Sequence, residues 1–215
     1  VAEAKGEDVN EPRPCSAAEA VQRAQSLLVR MRSGATDGAT YQLGTGDYRP
    51  TVVAGTLIDR PWTHRGQDFG SDCAGFAISW CYRLQRHRDG YNHGPWATVS
   101  DDLNCNSAIE DSEHALELFA PAVGIPLPGD LVTYPTIRLP GHPQVWIGHV
   151  AIVLAVRATA WDPTSPRYDL LDVAQCCGPD GRSPPVLATD ASHWIAHDRT
   201  WPKPEHRTRV IRAQT

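Results

Sequence analysis

The sequence predicts an α+β fold, and three observations carry that reading. Amphipathic helical periodicity falls in the first part of the chain. Runs rich in β-formers, separated by Pro and Gly turns, fill the second half. The two patterns do not alternate, as they would in a wound parallel sheet. With 215 residues, 41% of them hydrophobic, the chain can build one substantial core. It reads as a single domain over residues 16–215 behind a flexible arm, residues 1–15, rich in Glu and Pro.

The first helix starts at a capping box, Ser16-Ala17-Ala18-Glu19, and Ala17, Ala20, Val21, Ala24, Leu28 and Met31 recur at helical spacing as far as Ser33-Gly34. Residues 34–70 are dense in Gly, Thr, Asp and Pro with scattered aromatics (Tyr41, Tyr48, Trp62, Phe69), which predicts an ordered loop region. Cys73, Phe76, Ala77, Trp80 and Leu84 then fall on one face of a second helix that runs out in Arg86-His87-Arg88-Asp89-Gly90. A shorter helix is expected from about Ile109 to Phe119, ended by Pro121. Strands are expected at Leu131 to Tyr134, His149 to Val156, Tyr168 to Cys177 and Arg207 to Ile211, forming an antiparallel sheet.

Composition excludes some classes of function. A formal charge of −5 gives no global basic field, so neither nucleic acid nor an anionic membrane is an expected partner. No run approaches the roughly eighteen apolar residues of a membrane span, and the most apolar one, Val145 to Val156, contains Gly148 and His149. The sequence starts at Val1 without a basic and apolar leader, so a secretion signal is either lacking or removed, and the compartment stays open. Six cysteines (Cys15, Cys73, Cys81, Cys105, Cys176, Cys177) are too few and too irregular for a disulfide scaffold, although one or two bridges fit.

The chemistry points to Gly70-Ser71-Asp72-Cys73-Ala74-Gly75-Phe76. A thiol at a helix N-terminus meets the positive end of the macrodipole and unpaired backbone N–H groups, both of which favour thiolate. Asp72 or Ser71 is placed to cap that helix, leaving amides of its first turn available to a developing oxyanion. Taken alone, Cys73 reads more simply as a small buried hydrophobe. A base exists, however: Pro128-Gly129-Asp130-Leu131-Val132 is a turn into a strand, and Gly148-His149-Val150-Ala151-Ile152 puts a histidine at the start of the most apolar strand.

Cysteine at a helix start, then Pro-Gly-Asp-Leu-Val, then Gly-His-Val-Ala-Ile resembles the NlpC/P60 superfamily of papain-like cysteine peptidases, over roughly residues 16–177. Tyr41 to Tyr48 is similar to the family's tyrosine and glycine segment, with Thr45 between Gly44 and Gly46. The resemblance implies a papain-like fold with N-terminal helices packed on an antiparallel sheet, and hydrolysis of amide bonds in peptidoglycan stem peptides. It implies that Cys73 attacks the carbonyl carbon and His149 shuttles the proton, and that Tyr41 helps to fix the scissile carbonyl. No cofactor is expected, and a monomer acting at the bacterial cell wall, whether secreted, periplasmic or phage-delivered, follows from the same likeness.

The third residue departs from the family's common second histidine. In Tyr168 to Cys177, alternation groups Leu171, Val173 and Gln175 on one face and Leu170, Asp172 and Ala174 on the other. Gln175, polar on an otherwise apolar face, is the choice to orient the imidazole, with Asp172 the alternative. His193 and His197 have the i, i+4 spacing of a zinc pair but no adjacent glutamate, so no metal is expected. Residues 190–194 read as a helical turn at the sheet edge, and Cys81, Cys176 and Cys177 as structural. The segment from Arg88 to Leu127, with Tyr91, His93, Trp96 and Asn104, is longer than a direct link requires and reads as a packed insertion or a substrate-binding wall. A second class of function, a non-catalytic wall-binding or peptide-binding module that keeps the fold, has no need of Cys73 and His149 together.

Overall fold

The computed structural model describes residues 14–32, 40–41, 51–53, 56–58, 70–84, 104–114, 118–139, 142–176, 186–201 and 203–214. Most of the expected N-terminal arm, the charged stretch 86–90 in which the second helix was expected to run out, and Tyr91, His93 and Trp96 lie outside the described residues, as does Cys177.

Helix α1 (Ala17–Arg32) begins where its capping box predicts, with the Glu19 amide donating to Ser16 Oγ at 3.2 Å. The Glu19 carboxylate pairs with Arg83 at 2.9 Å, which ties the first turn of α1 to the end of the next helix. In the region expected to be loop, the described parts are short strands. β1 (Thr40–Tyr41) pairs in parallel with β4 (Gly70–Ser71), and β2 (Thr51–Val53) pairs with β3 (Thr56–Ile58). Turn-forming composition hides strands this short, because two or three residues carry no measurable alternation.

The helix that starts at Cys73 runs to Tyr82, with its middle, Gly75–Trp80, wound as a π-helix. It stops at Arg83, whose φ of 58° is left-handed, so it ends before the charged stretch that was expected to carry it on. The following helix is displaced from its expected position. α2 spans Cys105–His114, because Asn104 caps it, its Oδ1 accepting from the amides of Asn106 (2.9 Å) and Ser107 (3.2 Å). The Asp111 carboxylate then accepts the Leu118 and Phe119 amides at 2.8 and 2.5 Å, and Phe119 opens strand β5 (Phe119–Pro121) instead of closing a helix.

Strands β6 (Leu131–Leu139), β7 (His142–Val156), β8 (Leu171–Cys176), β9 (Val186–Asp190) and β10 (Arg209–Ala213) complete a six-stranded antiparallel sheet in the order β5-β10-β6-β7-β8-β9. The molecule is therefore α+β. Strands β5 and β9 were not expected, and the expected boundaries change: β6 runs on past Tyr134 to Leu139, and β10 is Arg209–Ala213 instead of starting at Arg207 and ending at Ile211. β7 begins at His142, because β6 and β7 form one long hairpin, and Tyr168–Leu170 is a 3-10 turn ahead of β8. The helical turn expected around residue 192 is a full helix, α3 (Ser192–Thr200).

Alternation along β7 sorts the core. Val150 and Ile152 face a cluster with Ala20, Ala24 and Leu27 of α1, Phe76 and Ile78 of the Cys73 helix, and Cys105 and Ala108 of α2. Ala151 and Val153 face a second cluster with Trp194 of α3 and Tyr168. Helices thus cover both faces of the sheet.

The two recognisable turn motifs have structural duties. Gly129 sits at φ +98°, and a Cβ there would lie 2.5 Å from Ala17 Cβ, so only glycine lets α1 approach the start of β6. Next to it, buried Asp130 takes two bonds from Arg212 of β10, at 2.7 and 2.8 Å, and one from the Leu127 amide at 2.7 Å. Gly148 lies opposite a bulge. The register passes from Tyr134↔His149 to Ile137↔Ile147, so Pro135 and Thr136 face one residue, and a Cβ on Gly148 would meet Thr136 Cα at 2.8 Å.

Candidate active site

Asp72 is the cap of the Cys73 helix: its Oδ1 accepts the Gly75 amide at 2.8 Å, and its side chain is buried. The amides of Cys73 and Ala74, in the first turn ahead of Gly75, have no carbonyl of the same helix to bond and lie next to the thiol. This helix packs against β7 and β8, the strands that carry His149 and Gln175.

Cys73 hydrogen-bonds to the His149 side chain. The Nε2–H of His149 donates to Gln175 Oε1 at 2.8 Å, which leaves Nδ1 as the nitrogen that serves the thiol. The register explains the second contact. Ile152 pairs with Ala174, so Gln175 falls opposite Ala151 and His149 is its diagonal neighbour on the same face, within reach of a long side chain. The ring is half-buried between Tyr134, centroid 6.2 Å away, and Trp194, at 5.5 Å.

The Cys73 thiol is buried, which by itself would hold it protonated. Its pKa is nonetheless lowered to about 5. The largest cause is a hydrogen bond from the Cys105 thiol, followed on the lowering side by the hydrogen bond and the positive charge of His149, while burial and the Asp72 carboxylate oppose it. Cys105 is the site residue that sequence reading missed. It is the first residue of α2, and only the position of the Asn104 cap, which the Asn-x-x-Ser spacing of Asn104 and Ser107 hints at, could have pointed to it.

Tyr41 stands with its backbone paired to Ser71, two residues before Cys73; its side chain lies outside what is described. Asp172 is not part of the cluster. It pairs with Arg157 at 3.1 Å and is nearly half exposed. His197 does fold back toward the sheet, stacked on Tyr134 at 3.7 Å, but its Nε2 is committed to the His206 carbonyl at 2.9 Å, and burial lowers its pKa, favouring the neutral ring. Among the described residues, no group of three or more His, Cys, Asp or Glu side chains is arranged to hold a metal ion, and no helix is long and apolar enough to cross a membrane.

Comparison with known proteins returns no family model, no curated protein and no solved structure that matches the chain. Chemically, such a cluster can supply a thiolate, an imidazole able to exchange a proton with it and held by a neutral amide, and first-turn backbone donors.

Proposed function

We propose that the protein is a cysteine peptidase or amidase that hydrolyses amide bonds in peptidoglycan stem peptides, with a papain-like arrangement of the NlpC/P60 kind. The observation that carries this reading is the contact chain from Cys73 through His149 to Gln175 Oε1, assembled from three separate parts of the sequence. The motifs around Cys73, Gly129 and Gly148 support the substrate class through their likeness to that superfamily.

In this reading the Cys73 thiolate attacks the amide carbon, and the developing oxyanion takes hydrogen bonds from the amides of the helix's first turn. The imidazolium Nδ1–H of His149 protonates the leaving amine, so the C–N bond breaks and a thioester to Cys73 remains. The now neutral His149 takes a proton from water as it attacks the thioester, releasing the carboxylic acid and restoring the thiolate–imidazolium pair. Asp72 acts by fixing the helix start, and Tyr41, whose backbone pairs with Ser71, is by the likeness to that superfamily the residue that helps to fix the scissile carbonyl.

Incubation with purified peptidoglycan and mass spectrometry of the released fragments tests the proposal. The expected result is new amine and carboxyl termini within stem peptides, lost in Cys73→Ala and in His149→Ala. Undiminished release by Cys73→Ala, or binding of peptidoglycan with no cleavage by the native chain, overturns it.

A further inference from the structure

Four of the five described cysteines form two contrasting pairs. Cys15, Cys73, Cys81, Cys105 and Cys176 all carry reduced thiols. Cys15 Sγ donates to the Cys81 carbonyl at 3.2 Å, and burial pushes the Cys15 thiol up to about 11 and the Cys81 thiol higher still, so neither supplies a nucleophile near neutral pH. The other pair is built differently. Cys73 and Cys105 are each the first residue of a helix, both are buried, and their side chains are in hydrogen-bond contact.

That contact is held from both sides. Asp72 fixes the start of one helix and Asn104 the start of the other. The next residue of α2, Asn106, accepts the amide of Thr136 at 2.7 Å and so pins Cys105 to the bulge of β6 beside His149. Sulfurs in hydrogen-bond contact must close by only about 1–2 Å to reach the bonded distance of a disulfide. An amide hydrolysis needs one sulfur; a second thiol on the nucleophile also creates a partner for it under oxidation.

We propose that Cys73 and Cys105 are a reversible, hydroperoxide-responsive thiol pair, with Cys73 the attacking and Cys105 the resolving sulfur. The Cys73 thiolate attacks the distal oxygen of a hydroperoxide, the O–O bond breaks, and the alkoxide or hydroxide leaves with a proton from the His149 imidazolium as alcohol or water, which gives a sulfenic acid. The Cys105 sulfur then attacks the sulfenic sulfur. The S–OH bond breaks, the hydroxyl leaves as water with the Cys105 proton, and a Cys73–Cys105 disulfide forms. A dithiol reverses it by exchange. The bridge protects the nucleophile from irreversible oxidation while removing it from chemistry.

The test uses the full chain, hydrogen peroxide and peptide mapping after alkylation of remaining thiols, and it needs no substrate, so its outcome is independent of the hydrolase reading. A linked peptide containing Cys73 and Cys105, two hydrogens lighter than the sum of its parts and lost on dithiol treatment, is expected. In Cys105→Ser the same treatment should convert Cys73 to the sulfinic acid, two oxygens heavier, with no recovery of alkylation by dithiol. Cys81→Ser should leave the linked peptide unchanged. Absence of the linked peptide in the native chain, a bridge from Cys73 to another cysteine, or full dithiol recovery of Cys73 in both Cys105→Ser and Cys105→Ala overturns the proposal.

Discussion

Burial that holds the Cys15 and Cys81 thiols protonated acts on Cys73 too, and it is overcome there by two specific donors, Cys105 and His149. The sign of the resulting pH dependence follows. A depressed thiol pKa makes thiolate the dominant form above about 5, so alkylation of Cys73 by iodoacetamide should be fast at neutral pH and fall as pH drops through about 5. Cys105→Ala removes the leading cause and should move that limb to higher pH, measurable as the pH dependence of the Cys73 alkylation rate. Gln175 fixes the imidazole without supplying charge, so Gln175→Ala should lower turnover roughly 10- to 1,000-fold, less than loss of Cys73 or His149. Asp172→Asn loses only a half-exposed pairing with Arg157 and should be nearly silent in the same assay. A dead Asp172→Asn beside an active Gln175→Ala would reverse the assignment of the two faces of β8. Cys73, His149 and Gln175 could be picked from sequence because each carries a local signal: a helix start, a strand beside a glycine, a polar residue on an apolar face. Cys105 carries only the faint signal of the Asn104 cap ahead of it, since its importance is a contact across 32 residues that no local pattern encodes.

Among the elements, long periodic ones were readable and short or bent ones were not. α1 and the helix from Cys73 follow from apolar spacing, and β6, β7, β8 and β10 from β-rich runs. α2 lies earlier than apolar spacing and Pro121 predict, because Asn104 caps its start, while Asp111, by accepting two amides, turns the chain into β5 ahead of Pro121. The π-winding of Gly75–Trp80 was equally hidden, since its residues keep α-like spacing. The bulge in the β6–β7 hairpin was invisible for the same reason, yet it decides what Gly148 must be. Gly148→Ala would press a methyl group against the Thr136 backbone one residue from His149. The expected cost is about 1–3 kcal/mol in a urea melt, with turnover falling further than stability alone accounts for. Unchanged stability would show that β6 can move aside freely.

At the scale of the molecule, the sheet is locked by an ion pair whose two partners are unequally exposed. Asp130 is 2% exposed, whereas a third of the Arg212 side chain reaches solvent. Removal of the arginine strands a carboxylate in the interior; removal of the carboxylate leaves an arginine that can turn to water. Arg212→Ala should therefore cost about 3 kcal/mol and Asp130→Ala less, by chemical denaturation. Equal costs would mean that the Leu127 amide, and not the arginine, is the partner that matters. The α+β class was evident from the order of patterns along the chain, but the sheet order was not, because the sequence does not state that its last strand lies between β5 and β6. That placement has a consequence for how the protein is made. A ribosome delivers β5 and β6 early, and they remain a gapped template until residues through Ala213 have cleared the exit tunnel. Helix and thiol are synthesised long before the sheet that aligns them can close, so a nascent chain stalled before Arg209 should carry Cys73 without a finished site around it.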